Sequence, residues 1–299
     1  MKLGKTENYK FLLKYLPSFF SVIPDSDIEN LCEIRLRADR PATLVYPNRI
    51  NFLSSSGRQT EFYSEGLFSL SAKEIEELFI KMCDYSVHSL TENIAEGFIT
   101  LANGCRVGVY GTAVTKDGKI SSVRNVDGLN IRLSAEQPGC ARSIYNRLFL
   151  NNIKNTVICG PPMSGKTTIL RDLCRLISNN GMKKIAVIDE RCELCGGDLG
   201  FNTDILRNYP KAKGIEIAVR TLSPDVIVCD EIGTKDEADK LCSLFNSGIK
   251  FIVSMHCSGI IELRNKPQYN VLNDSGAIEA CVILSEKNFS VDKIMINRN

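Results

Sequence analysis

With 299 residues, 43% of them apolar and 24% charged, the chain has the composition of a soluble globular protein with room for two cores. A net charge of +2 does not suggest a nucleic-acid binder, which usually carries a strongly basic stripe to neutralise phosphates, so no nucleic-acid partner is expected. No apolar run is long enough to span a bilayer; residues 11–23 are interrupted by Lys14 and Pro17 and lack a small-residue cleavage site, so a cytoplasmic location is the expectation. The twelve cysteines then read as reduced thiols serving as small apolar residues.

In chain order, residues 6–31 read as helices around a break at Pro17-Ser18, with Leu12, Leu13, Leu16, Phe19 and Phe20 on the apolar side. Glu33-Ile-Arg-Leu-Arg37 alternates as a half-buried strand does, and strands follow at 43–46 and 50–53. Ser71-Ala-Lys-Glu74 is a capping box ahead of Ile75, Leu78, Phe79 and Met82, whose spacing predicts a helix. A second short helix is expected over 84–92. Hairpins are expected from 97 to 133, with strands at 98–101, 106–114, 120–123 and 130–133 and turns at Asn103-Gly104 and Asp117-Gly118. The spacing thus predicts an α+β domain over 1–138, closed by a linker at 134–138, and a second domain over 139–299 that opens with a helix at 139–150.

The second domain carries the chemistry. Val157, Ile158 and Cys159 read as a buried strand. The run Gly160, Pro161, Pro162, Met163, Ser164, Gly165, Lys166, Thr167 then matches G-x-x-x-x-G-K-[ST] at every fixed position, and Thr168 leads into helical spacing. Such a loop wraps backbone N–H groups around phosphates at the positive end of a helix. Lys166 would reach the β/γ-phosphates and the Thr167 hydroxyl would ligate Mg²⁺. Strands expected at 184–188, 225–229 and 251–255 alternate with helices at 214–222, 236–245 and 259–263. They are continuous apolar runs, as in a parallel sheet covered on both faces. Residues 281–284 and 291–296 would finish the sheet, and 195–213 form the longest loop. The fold class is therefore α/β, a RecA-like phosphate-loop domain preceded by a smaller α+β domain.

Val226-Ile-Val-Cys-Asp230-Glu231 is an apolar strand ending in two carboxylates, a Walker B arrangement: Asp230 beside Mg²⁺, Glu231 placed to orient or deprotonate the attacking water. Ile185-Ala-Val-Ile188 ends in Asp189-Glu190 at the same rim of the sheet, which makes Glu190 a rival for that water. His256, at another strand end, either senses the γ-phosphate or is a structural residue. Cys192-x-x-Cys195 lacks a second Cys/His pair at metal spacing and reads as incidental.

Several of these segments together resemble the stage III sporulation protein AA family of spore-forming bacteria and, more distantly, the hexameric ATPases of secretion systems and type IV pili. The likeness rests on the segments 33–37, 97–101, 106–111 and 129–132, the phosphate loop, 188–191 and 223–233. It implies ATP and Mg²⁺ as the bound species. It also implies a homohexamer in the mother-cell cytoplasm, peripheral to the forespore membrane and partnered with membrane proteins of a sporulation channel. Arg220 falls in the arginine-containing stretch ahead of the Walker B strand, and Met255-His256 in the histidine box. Asp189-Glu190 falls in the acidic box, and Arg106 and Arg132 lie near the arginines that the N-terminal domain lends to nucleotide. Secretion ATPases usually carry glycine where this chain has Asp230, which favours a conventional Walker B here. The alternative is a RecA-type nucleic-acid translocase.

Overall fold

A computed structural model describes residues 5–133, 137–181, 183–245, 247–286 and 289–297. The chain divides into two compact units, Met1–Glu136 and Gln137–Asn299. Residues 134–136 of the expected linker lie outside the described residues.

In the first unit, α1 (Lys5–Leu12), a 3₁₀ turn (Ser18–Val22) and α2 (Asp25–Ile28) follow the apolar spacing on either side of Pro17. Strands β1 (Glu33–Arg37), β2 (Arg40–Val45), β3 (Ile50–Leu53), β4 (Gln59–Thr60) and β5 (Ser69–Leu70) come next. Helix α3 (Ala72–Met82) starts at the capping box read from sequence, Ser71 and Glu74 each bonding the other's backbone N–H. The helix expected from 84 begins later. Asp84 and Tyr85 take left-handed φ of 48° and 59°, so the chain resumes as a 3₁₀ turn (Val87–Leu90) and α4 (Thr91–Ala95). Strands β6 (Phe98–Thr100), β7 (Arg106–Lys116) and β8 (Lys119–Arg132) complete an antiparallel sheet of order β4-β3-β2-β1-β8-β7-β6. The two strands expected at 120–123 and 130–133 are one, because β-bulges in the β7–β8 ladder absorb the irregular residues between them.

The second unit opens with α5 (Arg142–Leu148), shorter than the helix expected at 139–150 because 139–141 form a turn. Then come β9 (Thr156–Gly160), α6 (Lys166–Gly181), β10 (Ile185–Asp189), β11 (Thr203–Arg207), α7 (Lys211–Leu222) and β12 (Val226–Cys229). Helix α8 (Lys235–Phe245), β13 (Lys250–His256), α9 (Ile260–Arg264), α10 (Pro267–Asp274), β14 (Ala280–Leu284) and β15 (Val291–Ile296) finish it. The sheet order is β11-β10-β12-β13-β9-β14-β15, parallel throughout except for β15. Strands β9, β10, β12 and β14 are buried along their whole length, with one apolar core on each face, which explains their unbroken apolar runs. This is the RecA-like α/β class expected from the sequence. Among the described residues no helix is long and apolar enough to cross a membrane.

Parallel strands deliver their C-terminal ends to one rim, so the residues at 160, 189, 230 and 256 are brought together by topology alone. The helix leaving that rim is anchored by buried Asp172. Its carboxylate accepts from the Gly139 and Ala141 N–H groups at 2.9 Å each and pairs with Arg175. Replacing Asp172 with Ala strands a buried donor (Ala141 N–H), a half-buried one (Gly139 N–H) and a cation, so chemical denaturation of that variant should show a loss of about 2–4 kcal/mol.

Candidate functional site

The phosphate loop leaves β9 at Gly160 and re-enters secondary structure at Lys166. Gly165 has φ +92°, in the region open chiefly to glycine, and a Cβ there would strike the Phe289 ring. A Cβ at Gly160 would fall 2.5 Å from Ser164 Oγ. Pro161 and Pro162 stiffen the turn, Met163 stands exposed at its tip with φ 63°, and Phe289 N–H donates to the Ser164 carbonyl at 3.1 Å. The Lys166 ammonium is buried, donating to the carbonyls of Gly160 (2.9 Å) and Pro161 (2.7 Å), and lies 3.1 Å from His256 Nδ1. An ammonium can only donate, so Nδ1 accepts and the ring proton sits on Nε2, which faces Glu231 Oε1 at 3.6 Å. Burial lowers the Lys166 pKa below the ordinary lysine value, against the opposing charges of Asp230 and Glu231.

Thr167 and Thr168 open α6. Thr167 Oγ1 donates to Asp230 Oδ2 at 2.6 Å, and Ser254 on β13 donates to the other carboxylate oxygen while its Oγ accepts the Glu231 N–H at 2.8 Å. Glu231 holds a left-handed φ of 56°, an uncommon conformation for a side-chain-bearing residue and one that tends to cluster at functional sites. Its carboxylate meets Arg191 Nη1 at 3.1 Å.

Buried Asp189 is a loop organiser rather than a ligand: it accepts N–H bonds from Glu193, Leu194 and Cys195 at 2.7–2.9 Å. Its neighbour Glu190 pairs at 2.6 Å with Lys211, the first residue of α7, which is itself buried. Burial works to lower the Lys211 pKa, but the hydrogen bond to Glu190 and the charges of Glu237 and Glu190 outweigh it and leave it raised. Glu190, Asp230 and Glu231 line one small cleft, whose described lining holds five carboxylates together with Arg191 and Lys211. That acidic excess, with Thr167 and Asp230 converging beside it, fits a divalent cation. Ser164 Oγ in the loop is buried without a partner among the described residues, which fits an incoming phosphate oxygen.

The structure therefore gathers Gly160, Lys166, Thr167, Asp230, Glu231 and His256 into one network, with Ser164 in the same loop and Glu190 lining the same cleft as Asp230 and Glu231. Arg220 is elsewhere. Helix α7 begins at the rim with Lys211, and nine residues at ~1.5 Å each put Arg220 roughly 14 Å down its axis, where it pairs with Glu216 on an exposed face. Arg106 and Arg132 are cross-strand partners in the first unit; Arg106 covers the Phe98 ring and Arg132 pairs with Glu33. Ser254 and Lys211 were not singled out by sequence. Ser254 had a signal, a hydroxyl inside an otherwise apolar strand, whereas Lys211 had none. Cys192 and Cys195 share a hydrogen bond that lowers the Cys192 pKa; among the described residues no group of three metal-ligating side chains is assembled.

The sequence matches the family described as sporulation stage III, protein AA, over residues 19–295. It is similar to stage III sporulation protein AA of Bacillus subtilis (strain 168), with 32% identity over 277 residues, covering 89% of this chain and 86% of that protein. The solved structure of the Legionella pneumophila ATPase DotB matches with TM-score 0.58 at 15% identity, covering 92% of this chain and 76% of that one. The pilus retraction motor PilT, solved with bound ADP, matches with TM-score 0.60 at 16% identity, covering 90% and 78%. At those identities the likeness is one of fold alone.

Because Asp189 alone ties down three N–H groups, Asp189→Ala should loosen the 190–195 loop. Alkylation of Cys192 and Cys195, followed by mass spectrometry of the folded protein, should be at least several-fold faster than in the unsubstituted chain.

Proposed function

This chain belongs to the sporulation stage III protein AA family, and on that basis we propose that it is an Mg²⁺-dependent ATPase, the motor of a sporulation-specific secretion-like complex. The observation that carries the reading is the convergence of Lys166, Thr167 and Asp230 at the mouth of a complete phosphate loop. Main-chain N–H groups of 163–168 and the Lys166 ammonium would hold the β- and γ-phosphates. Thr167 and Asp230 would hold Mg²⁺, which when bound offsets charge on the phosphates. Glu231, beside Asp230, prepares the attacking water and takes its proton, while Glu190, which lines the same cleft, orients that water. His256 bridges Lys166 and Glu231, so it can register the γ-phosphate and pass its loss to the strand that carries Ser254.

Beyond the chemistry, the reading places a homohexamer in the mother-cell cytoplasm. There it acts peripherally on a channel of membrane proteins at the forespore membrane, with Arg220, Arg106 and Arg132 available to nucleotide held by the assembly. Family membership and the secretion-ATPase fold support this.

Lys166→Ala should cut ATP binding and turnover by at least about a hundredfold while leaving the circular-dichroism spectrum unchanged. Undiminished hydrolysis by that variant would end the assignment. Glu231→Gln should retain ATP uncleaved, detectable as nucleotide that co-purifies as triphosphate; retention by Glu190→Gln instead would exchange the two roles.

A further inference from the structure

We propose that Lys211 is a positioning residue for Glu190: its buried ammonium fixes that carboxylate in the cleft it lines together with Asp230 and Glu231. The inference rests on the ATP-hydrolysis reading above. Lysine is among the residues least often buried, because taking an ammonium out of water is costly without matching anions. Lys211 is only 8% exposed, at the N-terminus of α7, where the helix end carries partial positive charge and favours anions over cations. Two carboxylates compensate it, unequally. Glu190 Oε2 lies at 2.6 Å and Glu237 Oε1 at 3.8 Å. The second oxygen of Glu237 is already used as a cap, accepting from Gly233 N–H at 2.8 Å and Thr234 N–H at 3.2 Å. A lysine that merely tied α7 to α8 would make its short contact with Glu237. The short contact is with Glu190.

The consequence follows from what a glutamate must do here. Orienting a water depends on where the carboxylate points, and a free glutamate side chain has three soft torsions to lose. Arg191 holds Glu231 from a 61% exposed position, where solvent screens the pair. Lys211 holds Glu190 from the interior, where the pair is screened far less. Of the two glutamates weighed for the water, Glu190 is the one whose carboxylate pairs with a buried cation.

The test is a double-mutant cycle on the full chain: Lys211→Met, Glu190→Gln and the double variant, with Lys211→Arg as the conservative control. Affinity for a fluorescent ADP analogue and the kcat and KM for ATP are read for each. Lys211→Met should lower kcat at least about tenfold with ADP affinity and KM within twofold of the unsubstituted protein, and Lys211→Arg should recover most of the loss. On the Glu190→Gln background, Lys211→Met should change kcat less than twofold. Full additivity, an unchanged kcat, or ADP affinity falling in step with kcat overturns the inference. Should Lys211→Met fail to fold with two carboxylates stranded, Lys211→Gln takes its place in the cycle and is read the same way. An unsubstituted protein that neither binds the ADP analogue nor cleaves ATP overturns the function itself. An active protein with an additive cycle overturns only the role of Lys211.

Discussion

Asp230 is shared between two hydroxyls, Thr167 from the first turn of α6 and Ser254 from β13, and that sharing joins the phosphate loop to the centre of the sheet. One carboxylate thereby fixes three elements whose order in sequence is far apart. Ser254 extends the link by accepting the Glu231 N–H, which holds Glu231 in its left-handed conformation. His256, at the end of the same strand, closes the circuit back to Lys166. This network stands at the C-terminal ends of β9, β12 and β13, the rim where open parallel sheets bind their ligands.

The electrostatics of that rim are deliberately incomplete. Asp189 is consumed by backbone N–H groups, and Glu190 and Glu231 each pair with a cation, whereas among the described residues the hydrogen bonds to Asp230 come from two hydroxyls. Lys166, held by two carbonyls, already sets its charge against Asp230, and the acidic excess of the cleft favours one further cation beside them. Steric crowding separately calls for glycine in the loop: the space that a Cβ would fill at Gly160 and Gly165 is occupied by Ser164 and the Phe289 ring.

Much of this was legible in sequence because the determinants are local. The capping box at Ser71, the apolar runs of β9, β10, β12 and β14, and the phosphate loop each announce themselves within a few residues. What was not legible depends on distant partners. Strand β11 lies within the stretch read as a long loop, since its residues are at most half-buried and its bonding comes from the β10 edge alone. Helix α10 is polar enough to hide its two buried residues, Tyr269 and Leu272, although proline at its first position was a usable sign. Arg220 reads as a neighbour of the Walker B strand in sequence but lies at the far end of α7, because the helix runs back across the sheet before β12 begins. Lys211 follows a proline at the end of a loop, and nothing in its surroundings signals that two acids from other elements will enclose it.

The central claim is that a triphosphate and its cation belong among these residues. It is tested most directly by a crystal structure with Mg²⁺ and a non-hydrolysable ATP analogue. The account predicts β- and γ-phosphates inside the 160–167 loop, Lys166 turned from its carbonyls towards them, and Mg²⁺ on Thr167 beside Asp230. A saturated crystal in which the loop holds no phosphate and Lys166 keeps its bonds to Gly160 and Pro161 would contradict it.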